Sequence, residues 1–261
     1  MRNITISYSN PYQLFVTIHG DGYVGSTYYS YDYYVNKWTI NTTSNILFSN
    51  TGGECTGIFV DVTNSLYCSI TSLYQVIKIW LGDTSTTWAR IAGTGGLGYN
   101  ASMLYNPWGI FVDVNFDLYI ADSGNNRIQL FHLGQSNALT VAGNGAVATI
   151  TLNSPTGVVL DADKYLFIVD NGNSRIVGSG PYGFRCIIGC AGSGSAPNQL
   201  LSPKSMAFDS YGNIFVADSG NNRIQQFLMV TNSCSMCTIN NSKTSLKVLS
   251  RKLVFTLFPK N

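Results

Sequence analysis

A chain of 261 residues with 26 glycines, 13% aromatic and only 11% charged residues has the balance of packed β-structure, not of a disordered segment or a coiled coil. Its formal charge of +2 conceals an uneven distribution: Arg2, Lys243, Lys247, Arg251, Lys252 and Lys260 lie near the ends, and residues 3–242 hold nine basic against thirteen acidic side chains. A mildly acidic body is a poor electrostatic partner for nucleic acid or anionic lipid, so nucleic-acid binding is not expected.

The N-terminal stretch "MRNITISYSNPYQLFVTIHG" has no unbroken apolar run ahead of a small-residue cleavage pattern. No segment approaches the roughly 20 apolar residues that cross a bilayer. Neither a signal peptide nor a membrane span is therefore expected, and the compartment is left open.

From residue 11 onward, five segments line up: "PYQLFVTIHGDGYV" from Pro11, "CTGIFVDVTNSLYC" from Cys55, "PWGIFVDVNFDLYI" from Pro107, "PTGVVLDADKYLFI" from Pro155 and "PKSMAFDSYGNIFV" from Pro203. Their starts are 44, 52, 48 and 48 residues apart. Each unit reads as an apolar run, a polar turn such as "DVNFD", a second run, a tight turn such as "DSGNN", a third run and often a fourth. A glycine-rich connector such as "AGTGGLGYNASMLYNP" follows. Short β-branched and aromatic runs between Asn, Asp and Gly turns predict antiparallel hairpins, hence a four-stranded meander per unit. The runs "GIFVD" and "GVVLD" are apolar without alternation, which predicts strands covered on both faces. Four-stranded units recurring every 40 to 50 residues predict an all-β fold, a β-propeller with one blade per unit. Five repeats are visible, so the expected ring is five- or six-bladed, or incomplete.

The pattern P-x-G-[IV]-x-[VL]-D, polar turn, L-[YF]-[IV]-[AV]-D-x-G-N-x-R-I is complete or nearly so in the units at Pro107, Pro155 and Pro203. It resembles the NHL repeat. The unit at Pro203 has Ser205 in place of the glycine, and in the unit at Cys55 the cysteine replaces Pro, Ile70 the Asp and Gln75 the Arg. In the unit at Pro11 the last two positions hold Ser26 and Tyr34, with a three-residue insertion. The resemblance covers residues 11–229 and implies an NHL-type propeller there, usually six-bladed. Residues 1–10 are then the candidate for an outer strand that closes the ring, and residues 230–261 form a non-repeat C-terminal tail.

The most repetitive stretch is "DSGNNRIQ", present at residues 122–129 and again at 218–225, with "DNGNSRIV" at 170–177. Three units carry both Asp and Arg (Asp122 with Arg127, Asp170 with Arg175, Asp218 with Arg223), two carry neither, and none carries one alone. Breaking a buried pair is costly, whereas replacing both partners is not. Paired presence and absence therefore predicts three structural ion pairs rather than three pieces of a catalytic site.

Candidate chemistry is thin. NHL-like propellers include amidating lyases whose zinc is held by several histidines, but His19 and His132 are the two histidines here and fall in different units. Related six-bladed lactonases and esterases hold calcium with Glu, Asn and Asp. Glu54 is the one glutamate, and the aspartates fall in turns or Arg pairs. "CIIGC" (186–190) and "CSMC" (234–237) raise a four-thiolate zinc site, yet an extended strand separates the sulfurs of C-x3-C by about 13 Å. Only a bend at Gly189 brings them together, so free or disulfide-bonded cysteine is favoured. Asn3, Asn41, Asn100 and Asn240 stand in Asn-x-Ser/Thr sequons, which matter only in an exported chain and are about as numerous as chance allows. The glycine-rich runs precede no helix, so they make no phosphate cradle. No cofactor and no metal are expected.

What remains is surface. In a propeller, the connectors into each first strand and the turns after each second strand share a rim. Here that rim comprises residues 26–34, 93–106, 143–154 and 190–202, and it gathers Tyr28, Tyr29, Tyr31, Tyr33, Tyr99 and Tyr105. Tyrosine offers rigid amphipathic contact area. The expected function is a non-catalytic interaction module whose partner is a protein, or else a glycan. The alternatives are a calcium-dependent lactonase- or esterase-like hydrolase and an RNA-binding NHL domain of the ubiquitin-ligase-associated type.

Overall fold

The computed structural model describes residues 13–16, 22–28, 32–38, 45–49, 52–81, 87–147, 149–229 and 246–249. Residues 1–10, His19, Tyr29, Tyr31, Cys234 and Cys237 lie outside this set, and with them the ring-closing strand and the C-x2-C pair.

The described strands form five four-stranded antiparallel sheets, each in simple meander order. The first contains β1 (Gln13–Val16), β2 (Gly22–Tyr28), β3 (Asp32–Trp38) and β4 (Asn45–Ser49). The second contains β5 (Cys55–Val60), β6 (Ser65–Ile70), β7 (Gln75–Trp80) and β8 (Ala89–Ala92), and the third β9 (Pro107–Val112), β10 (Leu118–Asp122), β11 (Arg127–Phe131) and β12 (Leu139–Gly143). The fourth contains β13 (Pro155–Leu160), β14 (Leu166–Asp170), β15 (Arg175–Gly178) and β16 (Arg185–Ile188), and the fifth β17 (Ser205–Phe208), β18 (Ile214–Asp218), β19 (Arg223–Met229) and β20 (Leu246–Leu249). The chain divides into two compact units, Met1–Val158 and Val159–Asn261, with the boundary inside β13. Among the described residues, no helix is long and apolar enough to cross a membrane.

Local chemistry explains the hairpins. The first turn of each of the last four sheets is built on one aspartate: Asp61, Asp113, Asp161 and Asp209 each accept backbone N–H bonds from the residues two and four positions on. Such Asx turns satisfy backbone donors that the hairpin leaves unpaired. The second turn is a single 3-10 turn, Ser123–Asn125 in the third sheet, closed by Asn126 in the left-handed conformation at φ 55°. Ser174 and Asn222 occupy the same place at 51° and 49°, and Tyr74 at 52°.

Among the strands whose burial is described, β6, β11 and β14 are covered on both faces, every residue being buried. This corrects the expectation for the first strands: β9 and β13 leave several positions half-buried. The unalternating apolarity of "GIFVD" has another cause, close packing between sheets. A Cβ on Gly57 of β5 would overlap the Trp108 carbonyl of β9, and one on Gly109 of β9 would overlap the Thr156 carbonyl of β13. Thr56 Oγ1 donates to the Pro107 carbonyl at 3.1 Å and Ser69 Oγ to that of Trp108. Within the first unit the glycine of P-x-G is thus the point where successive first strands meet.

Three further outcomes differ from the sequence expectation or go beyond it. Residues 26–34 are less a loop than a longer hairpin, since Ser26 pairs with Tyr34, Thr27 with Tyr33 and Tyr28 with Asp32. The insertion extends two strands because alternating Tyr, Ser and Thr suit a pleated surface. Residues 230–261 include β20, which pairs with β19 and takes the outer edge of the fifth sheet. Finally, β16 stops before Gly189, whose φ of +77° turns the chain, and Cys186 and Cys190 are joined by a disulfide with Cα atoms 5.8 Å apart. A second disulfide, Cys55–Cys68, links β5 to β6.

Candidate functional site

Asp122, Asp170 and Asp218 each end a second strand, and Arg127, Arg175 and Arg223 each begin the third, directly opposite across the turn. In all three, the Arg Nε donates to the Asp Oδ2 at 2.7 Å, and the carboxylates have no solvent exposure. Asn125, Asn173 and Asn221 donate to the same Oδ2 at 2.8 to 2.9 Å. Charge-assisted bonds of this kind, with the acid's other lone pairs also used, are what make a buried pair tolerable. In the second sheet Ile70 faces Gln75, and in the first Ser26 faces Tyr34. The five units therefore share one register whether or not they carry the charges.

The ion pairs have a second role. Asp122 Oδ1 accepts the backbone N–H of Tyr105 at 2.7 Å, while Arg127 donates through Nη1 to the carbonyl of Tyr99 and through Nη2 to those of Asn100 and Met103. Asn125 Nδ2 adds a bond to the Gly98 carbonyl. In the second unit Asp218 binds the N–H of Leu201, Arg223 the carbonyls of Ser195, Ala196 and Gln199, and Asn221 that of Gly194. The sequence separations are the same in both clamps: 17 for Asp to N–H, 28, 27 and 24 for Arg to carbonyl, and 27 for Asn to carbonyl. Each motif thus fastens the connector that leads into its own sheet. Burial is the largest influence on the Asp122 carboxyl and pushes it above the usual carboxylate range, against the opposing bonds from Tyr105, Asn125 and Arg127.

The clamped connector of the third sheet carries exposed apolar side chains. Tyr99 is 83% and Leu97 54% exposed. Tyr105, which sequence alone groups with Tyr99, is 37% exposed and also packs: its ring stands edge-on to Tyr74 at 6.2 Å, and a Cβ on Gly124 would strike it. Tyr28 and Tyr33 are strand residues at the tip of the β2–β3 hairpin, and Tyr29 and Tyr31 lie outside the described residues.

The other candidates do not converge. His132, exposed just beyond β11, has its Nδ1 3.0 Å from Asp117 Oδ2. Glu54 precedes β5, its carboxyl raised by burial. Among the described residues no group of three or more His, Cys, Asp or Glu is placed to hold a metal ion. A cleft of about 340 Å³ is lined by Tyr67, Lys78, Arg90, Phe116 and His132. Its cations are engaged: Lys78 lies 3.7 Å from Asp61, and Arg90 donates to the Thr94 carbonyl.

Comparison with known proteins bears on the fold. The NHL repeat model matches residues 104–131 and 200–227. No curated protein sequence matches the chain. Among solved structures, the chain is similar to a streptogramin B lyase, with a TM-score of 0.58 at 13% identity over 86% of this chain and 67% of that one. A virginiamycin B lyase from Staphylococcus aureus gives 0.57 at 11% identity, over 92% and 69%. A nidogen/laminin complex gives 0.60 at 18% identity, over 82% and 73%. The two stretches matched by the repeat model each run from the clamped connector through the Asp–Arg turn into the third strand. The chain accordingly carries NHL repeats at residues 104–131 and 200–227, within the four-stranded antiparallel blades of a β-propeller.

Proposed function

We propose that this chain is a non-catalytic protein-interaction module that docks its partner on the clamped connector at Leu97 and Tyr99. One observation carries the proposal: a tyrosine 83% exposed to solvent sits on backbone whose own carbonyl, and those of Asn100 and Met103, are held by a buried guanidinium. An exposed aromatic on a fixed backbone presents contact area without a large ordering cost on binding, which is the property of an interface anchor. The β-propeller serves lyases and also occurs in a nidogen/laminin complex, so residues rather than fold decide. Among the described residues, the aspartates of the first turns and of the Asp–Arg pairs are engaged in turns and clamps.

A pull-down tests this with three baits: wild type, Leu97→Ser with Tyr99→Ser, and Tyr28, Tyr29, Tyr31 and Tyr33 all changed to Ser. Loss of the partner from the Leu97/Tyr99 bait with its thermal stability retained is expected. Recovery equal to wild type from that bait would remove the surface.

A further inference from the structure

We propose that Asn100 is an N-glycosylation site and that the chain matures in an oxidising, secretory-type compartment. The proposal does not rest on the binding argument above. The first observation is the cysteines: the four described ones, Cys55, Cys68, Cys186 and Cys190, are all paired, in two separate disulfides. Disulfides persist in secretory and extracellular compartments and are rare where thiols are kept reduced. Cys55 and Cys68 are at most 3% exposed, so this bond belongs to the core and not to a reactive surface pair.

The second observation is the state of Asn100 itself. It begins the sequon Asn100-Ala101-Ser102, lies on the exposed connector beside Tyr99, and is exposed. Its Oδ1 accepts both the backbone N–H and the hydroxyl of Ser102 at 3.1 Å, so the hydroxyl that the sequon requires stands against the amide to be modified. The fold uses the backbone carbonyl of Asn100, which Arg127 holds, and leaves the side-chain nitrogen outside the clamp. Asn125, Asn171 and Asn221 are the reverse case. Their side-chain nitrogens bind the Gly98, Pro203 and Gly194 carbonyls, and none of the three stands in a sequon. A bulky group on Asn100 therefore displaces no structural bond.

In the reaction, Asn100 Nδ2 forms a bond to the anomeric carbon of a polyprenyl-diphosphate-linked oligosaccharide. The bond from that carbon to the diphosphate oxygen breaks, the polyprenyl diphosphate leaves with the electron pair, and one amide proton passes to solvent. The product is a hydrophilic chain bordering the Leu97–Tyr99 surface.

The test is mass spectrometry of the native protein, captured with an antibody and digested without reduction. After treatment with a peptide N-glycosidase in heavy-oxygen water, the peptide containing Asn100 is expected to carry a labelled aspartate, and Cys55 and Cys68 to be recovered in linked peptides. The full chain, placed behind an added export signal and secreted from cultured animal cells, should show the same label, lose it in Ser102→Ala and keep it in Ser102→Thr. Unmodified Asn100 in the native protein, or free thiols at Cys55 and Cys68, would overturn the proposal. Partner capture is a separate readout, so failure here leaves the docking surface standing and the converse also holds.

Discussion

At the scale of single residues, charge and backbone geometry work within one turn. Asp61 shows the electrostatics. Burial pushes its carboxyl up, but the Ser65 N–H, the Thr63 and Tyr67 hydroxyls and Lys78 together outweigh it and hold the carboxyl below its usual range. Its contribution to stability is then complete above the unfolded-state value of about 4 and is lost as pH falls through the lower folded value. Acid unfolding of Asp61→Asn should lack that segment of the pH dependence; an unchanged acid limb would contradict the assignment. Tyr67 shows the opposite sign: burial and the bond to Asp61 raise its phenol, so its contribution is present below about pH 10 and lost above. Phenolate absorbance should lose a late-ionising group in Tyr67→Phe. Backbone geometry is tested at Gly143, with φ +83° and a would-be Cβ against the Asn126 carbonyl, and at Gly134, with φ +75° and nothing nearby. Gly134→Ala should cost about 1 kcal/mol, the left-handed penalty alone, and Gly143→Ala roughly twice that or more. Equal losses by urea unfolding would show that Gly143 is not held against its neighbour.

At the scale of the element, the hairpin is the unit of repetition, and in the second sheet a cross-link stands where the charge pair is missing. The second sheet has Ile70 and Gln75 in place of Asp and Arg, and there the first and second strands carry the Cys55–Cys68 disulfide. Replacing that pair by Ala should cost about 3 kcal/mol, because it closes 13 residues. Replacing Cys186 and Cys190 should cost about 2 kcal/mol, because those closest in sequence close only 4. Denaturant midpoints in the reverse order would contradict the loop-closure argument. Much of this scale was legible in the letters. Turns rich in Asp, Asn and Gly announce themselves because those residues suit the geometry best, although Ser174 and Tyr74 fill the left-handed position too, and Ile70 facing Gln75 follows from the common register. The Cys186–Cys190 pairing was not legible, since it turns on where β16 ends and on whether the chain bends at Gly189. Nor was β20, which matches no repeat and is recruited by the open edge of β19.

At the scale of the molecule, what repeats is a way of fastening each connector to the sheet it enters. Asp–Arg contact could be inferred from the letters because the two residues come and go together. The bonds from Arg127 to three carbonyls could not, because backbone oxygens are the same under every letter. The recurrence of the separations 28, 27 and 24 at Arg223 makes the clamp a property of the repeat and not of one loop. It also grades the tyrosines: Tyr99 is the more exposed, while Tyr105, partly exposed, sets its ring against Tyr74. The most direct test of the clamp is a double-mutant cycle on Asp122 and Arg127 by urea unfolding. Each alanine variant alone should lose about 3 to 5 kcal/mol, and the double variant should lose less than the sum by about 1 to 3 kcal/mol. Strictly additive losses, or single variants as stable as wild type, would contradict a structural role for the pair.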